Sequence, residues 1–189
     1  MAEPHGTYYF ATGDLVLQVD DVLFKVHRYL LTQSSSVFRD MLEIPQGEQN
    51  QVEQQPILLT GDSVEGWSTF FELHYRDNPW APPPTFSDQR MLALLRISHK
   101  YCMIKIQDEI ITRMRLSASR TDQLINLIVA ADIIGSKEIW RSTVEMLKVT
   151  KPIPTFEQSK LIGLEATYSI LSDAYLHLNS IHQSCPPKW

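Results

Sequence analysis

Apolar and polar positions alternate near the start of the chain, and then the period changes. In residues 14–26, "DLVLQVDDVLFKV", Leu15, Leu17 and Val19 fall on one side of an extended chain, and Val16, Gln18 and Asp20 on the other. Asp20–Asp21 reads as a turn, and Phe24 and Val26 flank Lys25 in a second run, so the segment predicts a β-hairpin. The period of two stops at His27. "HRYLLTQSS" predicts a short helix carrying Tyr29, Leu30 and Leu31. "SSVFRDML" predicts another, with Val37, Phe38, Met41 and Leu42 at i, i+1, i+4 and i+5, and one of Ser34 to Ser36 is a natural N-cap for it.

The Gln-rich residues 44–56 read as a mobile loop. "ILLT" at 57–60 is short and strand-like, and "GDS" opens a helix carrying Val64, Trp67, Phe70, Phe71 and Tyr75. "RDNPWAPPPTFSD" predicts an exposed, semi-rigid loop, because its prolines lack a donor and fix φ. From Asp88 onward the chain reads as five or so helices. Leu92, Leu95, Cys102 and Ile106 keep one helical spacing, and Ile110, Ile111 and Met114 follow after a break. Leu124, Leu127, Ile128 and Ala131 form a stripe ending at Gly135, a C-cap candidate. Trp140, Val144 and Leu147 make the next stripe. After "KPIP", Thr155 with Gln158 reads as a capping box, and Tyr168, Leu171, Tyr175 and Leu178 form a last stripe before a frayed "SCPPKW" tail. Strands with short helices, then helices alone, predict an α+β unit followed by an all-helical extension.

Composition narrows the classes. The chain has 189 residues and 43% hydrophobic content, enough for a packed core. Its net charge is −5 and its pI about 5.6, which argues against a nucleic-acid or anionic-membrane surface. The most apolar window, Leu124 to Gly135, is broken by Asn126 and Asp132 and falls short of the roughly 20 residues that span a bilayer. No basic-then-apolar leader opens the chain, and Cys102 and Cys185 do not make a disulfide framework. The expected location is intracellular, in the cytoplasm, the nucleus or both.

Several residue groups invite a chemical reading. Asp14, His27 and Ser34–Ser36 hold the residue types of a hydrolytic triad, and "GDS" at 61–63 occurs in some esterases. No GxSxG is present, the Asp173–His177 spacing does not match the esterase Asp-x-x-His, and capping accounts for Ser63. The expectation is therefore no catalytic residue and no enzyme, with a serine-esterase-like hydrolase as the rival class. His99 and Cys102, three apart on one helical face, give two metal ligands at most, so neither metal nor cofactor is expected. Trp80, between Pro79 and Ala81, reads either as a partner anchor or as a ring folded onto its own domain.

The stretch from Asp14 to Met41 resembles the BTB/POZ domain. That family opens with an Asp-led strand and a turn, then Phe-x-x-His-(Arg/Lys)-x-x-Leu, then Ser-x-x-Phe and a Met-centred end. Here these are Asp14, Phe24, His27, Arg28, Leu31, Ser35, Phe38 and Met41. "LLRISHKYCMIKIQDEI" is similar to the family's following helices through Leu94, Tyr101 and Met103, with Ile97 where alanine is usual. "KPIPTFEQSKLIGLEATYSIL" resembles the segment after the core in many fungal members.

The resemblance implies a BTB/POZ domain at 1–118, with its core at about 8–117, and a C-terminal helical extension at 119–189. It implies a non-enzymatic module whose partners are proteins: a second copy of the chain, or cullin-3 for a ubiquitin-ligase substrate adaptor. No small-molecule substrate, nucleic acid or membrane is implied. His27 is then a structural residue, and Asp14 with Arg28 corresponds to a charged pair lining a dimer-interface pocket in some members. Cullin-binding members often carry a hydrophobic-x-Glu motif after the third helix. Phe86-Ser87-Asp88 is the nearest approach, which makes Phe86, with Trp80, the candidate partner contacts. The family's strand-swapped dimers use a longer helical segment before the first strand than the stretch ahead of Asp14.

Overall fold

The computed structural model describes residues 2–43, 55–76, 84–150 and 153–184. The chain divides into two compact units, Met1–Ile110 and Ile111–Trp189. The first is an α+β unit. Strand β1 (Glu3–Tyr9) precedes the hairpin of β2 (Leu15–Val19) and β3 (Val22–Val26). Helices α1 (Arg28–Ser34) and α2 (Ser36–Glu43), strand β4 (Ile57–Leu58), α3 (Val64–His74) and α4 (Asp88–Lys100) follow. Helix α5 (Ile104–Ser117) carries the division between the units.

The hairpin forms as its alternation requires. Leu15 pairs with Val26, Leu17 with Phe24 and Val19 with Val22, and all but Val22 are buried. Asp20, at φ 50°, makes the turn. The sheet order is β1-β3-β2-β4, with β1 parallel to β3 and β4 parallel to β2. The core beneath it is aromatic: Trp67, Phe70 and Phe71 of α3 pack with Phe24 and Phe38 and are inaccessible to solvent. Helix α4 reaches α3 closely at Gly66, where a β-carbon would lie 2.8 Å from the Ala93 carbonyl oxygen.

Three features differ from expectation. Strand β1 forms without an alternation that announces it. Its pairing slips between Pro4 and Tyr9, opposite only Leu23 and Lys25, so it holds no clean period of two. The imidazole of His5 serves the irregular stretch: its Nδ1 accepts the amides of Thr7 and Tyr8, each at 3.1 Å. Secondly, Cys102 and Ile106 do not continue the helix of Leu92 and Leu95. Helix α4 ends at Lys100, Cys102 sits at φ 52°, and α5 then runs unbroken through Ile106, Ile110 and Met114. The break lies one turn earlier than the spacing suggests, because buried Tyr101 and Met103 keep the apolar pattern running across it.

The second unit is helical: α6 (Thr121–Ile133), α7 (Lys137–Thr150) and α8 (Phe156–Ser184). Gly135, at φ 67°, ends α6 as expected. Ser136 N–H donates to the Ala131 carbonyl and Gly135 N–H to that of Asp132, the two bonds of a Schellman motif. Thr155 and Gln158 cap α8 reciprocally, at 2.9 and 3.2 Å. The core is Leu124, Ile125, Ile128, Val144, Leu147, Ile162, Ala166 and Ile170. Here lies the third difference: Tyr168, Leu171 and Tyr175 of the predicted stripe are exposed, and a different face of α8 is buried. The 44–54 part of the expected mobile loop, Trp80 with most of its proline loop, and the 185–189 part of the tail lie outside the described residues.

Candidate functional site

The motif residues meet where β3 turns into α1. His27 is the N-cap residue of α1, yet its side chain makes no capping bond. Asp14, entering β2, supplies the cap instead: its Oδ1 accepts the Arg28 amide at 2.7 Å. A carboxylate there also suits the positive end of the helix dipole. Arg28 extends the other way and donates from Nη2 to the Leu42 carbonyl at the end of α2. Asp14 and Arg28 are thus joined, but through a backbone amide. The side-chain ion pair expected of them does not form, because the guanidinium is spent on α2.

His27 is held by Tyr75. The Tyr75 hydroxyl accepts the His27 amide at 2.9 Å and also lies 2.9 Å from Nδ1. A hydroxyl that accepts the amide has its proton free for Nδ1, which leaves Nε2–H to donate to Thr12 Oγ1 at 3.2 Å. Phe10 lies beside both rings, 4.5 Å from Tyr75 and 5.9 Å from His27. Both ring nitrogens of His27 thus meet side-chain hydroxyls, those of Tyr75 and Thr12. Burial first, with the Asp14 charge adding to it, raises the Tyr75 pKa.

Ser35 makes the second junction. Buried between α1 and α2, its Oγ accepts the Phe38 amide at 3.1 Å and donates to the Tyr101 carbonyl at 2.6 Å. Phe38 packs on Tyr101 and edge-on against Trp67, with centroids at 4.8 and 5.7 Å. Tyr101 donates to Asp62 Oδ2 at 2.7 Å, Trp67 Nε1 donates to the same oxygen at 2.9 Å, and Lys100 Nζ lies 2.6 Å from Oδ1. The Asp62 side chain is 2% exposed. Asp62 is therefore a buried hub joining α3 to the end of α4. Ser63 does cap, accepting the Gly66 amide at 3.1 Å. The bond from Trp67 spans five positions, but the bond from Tyr101 spans 39 and leaves no local trace.

Ser34 Oγ lies 3.3 Å from His74 Nε2, and His74 Nδ1 lies 2.8 Å from the Phe70 carbonyl. A serine beside a histidine is thus present, but a main-chain carbonyl in the ring's own helix orients the imidazole, where a triad uses a carboxylate. Ser35 is committed to two internal bonds, Ser63 caps α3, and Asp14 and His27 bond other groups. His99 and Cys102 do not share a helical face; His99 faces Gln107 and Cys102 is exposed beyond the helix end. Among the described residues no cluster of three or more His, Cys, Asp or Glu could hold a metal, and no helix is long and apolar enough to cross a membrane.

The remaining motif residues are core. Phe24, Leu31 and Phe38 are inaccessible, Leu94, Ile97, Tyr101 and Met103 are buried, and Met41 is half-buried. Phe86 is half-buried ahead of α4, with the Arg90 guanidinium 4.7 Å from its ring centroid. Ser87, next to it, accepts the Arg90 amide as the N-cap of α4.

Two histidines make this unit acid-sensitive. Burial lowers the pKa of His5 and, more deeply buried, of His74, below the usual 6.5. The unfolded chain then takes up these protons first. Their contribution to stability is full above pH 6.5 and is lost as pH falls through the lower folded values. Tyr8, Tyr75 and Tyr101 are raised above 10, so theirs is full below pH 10 and lost above it. A denaturant midpoint followed by circular dichroism is expected to form a plateau between those limits. His5→Gln and His74→Gln together are expected to flatten its acid side, and an unchanged acid side contradicts the assignment.

The model of the family described as the BTB/POZ domain matches residues 9–117. No curated protein matches the chain.

Proposed function

The chain belongs to the BTB/POZ domain family, and from that premise we propose that it works by self-association and recruitment of protein partners. Domains of this family are protein-interaction modules. One observation carries the reading: among the described residues, every buried side-chain nitrogen and oxygen already has a hydrogen-bond partner. These buried groups are satisfied within the fold. What the surface offers is apolar area. Tyr29 and Leu58 stand mostly exposed on the first unit, and a row of leucines and tyrosines does so on α8. We take 1–118 as the BTB/POZ domain, 119–189 as the helical extension, and cytoplasm or nucleus as the place of action.

A second reading, the cullin-3 substrate adaptor, rests on the family alone. Phe86 lies under Arg90, and Ser87 is used as a cap. A cullin contact through Phe86 would first have to lift that guanidinium. Calorimetric titration of the chain with the N-terminal region of cullin-3 separates the two readings. No heat and no complex is expected for a self-associating scaffold. Submicromolar binding would make the chain an adaptor, with the residues after 118 as the place to seek its substrate.

A further inference from the structure

Helix α8 is apolar on two sides. Ile162, Ala166 and Ile170 are buried in the core of the second unit. Past a kink at Gly163 (φ 77°, ψ 172°), Leu164, Tyr168, Leu171 and Tyr175 are 90, 76, 42 and 65% exposed. They recur at steps of four, three and four residues, the a/d spacing of a helix that seats against another helix. At 100° per residue their line lies roughly 150° around the helix from Ala166 and Ile170. No requirement of the unit's own core explains this second stripe.

We propose that this stripe pairs with the same stripe of a second copy of the chain, as a helix-on-helix contact. Two observations favour a second copy. The flanking residues at the e and g positions of that spacing are Glu165, Thr167, Ser172 and Ala174, of which only Glu165 is charged. A twofold contact sets a surface against itself, and a nearly neutral one meets no like-charge repulsion, whereas a charged partner would find little to pair with. Area is the other. Two tyrosines and two leucines at these exposures offer on the order of 600 Å² a side, which reaches the low end of stable interfaces. The contact is therefore reversible and dependent on concentration. This inference rests on the self-association reading above and names where that association occurs.

Sedimentation velocity tests it, with the full chain compared with Leu164→Glu/Tyr168→Glu, with the uncharged Tyr168→Ser/Tyr175→Ser, and with Asp173→Lys on another side of α8. The wild-type chain and Asp173→Lys are expected to dimerise as concentration rises. Both double variants are expected to stay at 21.8 kDa with unaltered circular dichroism, since the replaced side chains are exposed. Double variants that dimerise like wild type overturn the inference and leave self-association standing elsewhere on the chain. A wild-type chain that is monomeric throughout overturns both. In that case, a loss of thermal stability in the double variants would show the stripe covered by the chain's own residues.

Discussion

Asp62→Ala is expected to destabilise the first unit by about 3–5 kcal/mol, read from the denaturant midpoint. The carboxylate is nearly inaccessible and accepts from Trp67 Nε1, Tyr101 Oη and Lys100 Nζ. Alanine leaves the indole N–H and the phenol without their acceptor. Each orphaned buried donor costs about 1–3 kcal/mol, more than the bond was worth when made. Lys100 is half-exposed and can return its ammonium to water, so it adds little. Tyr101→Phe removes a donor without stranding one and is expected to cost only about 1 kcal/mol. The phenol gives a second readout. Its pKa is raised by burial first and then by the bond and charge of Asp62, so in Asp62→Ala it is expected to titrate closer to 10 in ultraviolet absorbance. An Asp62→Ala midpoint like that of Tyr101→Phe would contradict the hub.

Phe38→Ala is expected to cost a similar amount, about 3–5 kcal/mol, for a different reason. Phe38 is inaccessible, packs on Trp67 and Tyr101, and follows the serine that bonds both its amide and the Tyr101 carbonyl. Truncation opens a cavity that this aromatic cluster, itself pinned by Asp62 and Ser35, cannot collapse to fill. Its neighbour Val37 is partly exposed, and Val37→Ala is expected to stay below about 1 kcal/mol. Equal midpoints for the two alanine variants would show that Phe38 is not the keystone its burial suggests.

Much of this was legible in the sequence because it is local. The hairpin follows from alternation across a two-residue turn. The Ser35 cap, the Ser63 cap, the Gly135 terminus and the Thr155–Gln158 box each lie within a few residues of what they bond. Phe24, Leu31 and Phe38 of the family motif are inaccessible to solvent.

The rest depends on distance or direction. Strand β1 pairs in parallel with β3, the second strand of the hairpin, and its slipped register removes the alternation that would announce it. Tyr75 reaches His27 across 48 positions and Asp62 reaches Tyr101 across 39, so neither bond leaves a local trace. The resemblance pairs Asp14 with Arg28, but within the chain the carboxylate accepts a backbone amide and the guanidinium reaches a helix end. In α8, periodicity identified which residues share a face. It carries no information on which of two apolar faces turns inward, and the packing of Ile162, Ala166 and Ile170 decides that.

The proposed function, binding of protein partners, begins with a second copy of the chain. The most direct measurement is sedimentation velocity of the wild-type chain across about 1–100 μM, the range in which association of this strength declares itself. A reversible shift from 21.8 kDa toward twice that mass is expected as concentration rises. A single species at 21.8 kDa across the whole range would contradict it.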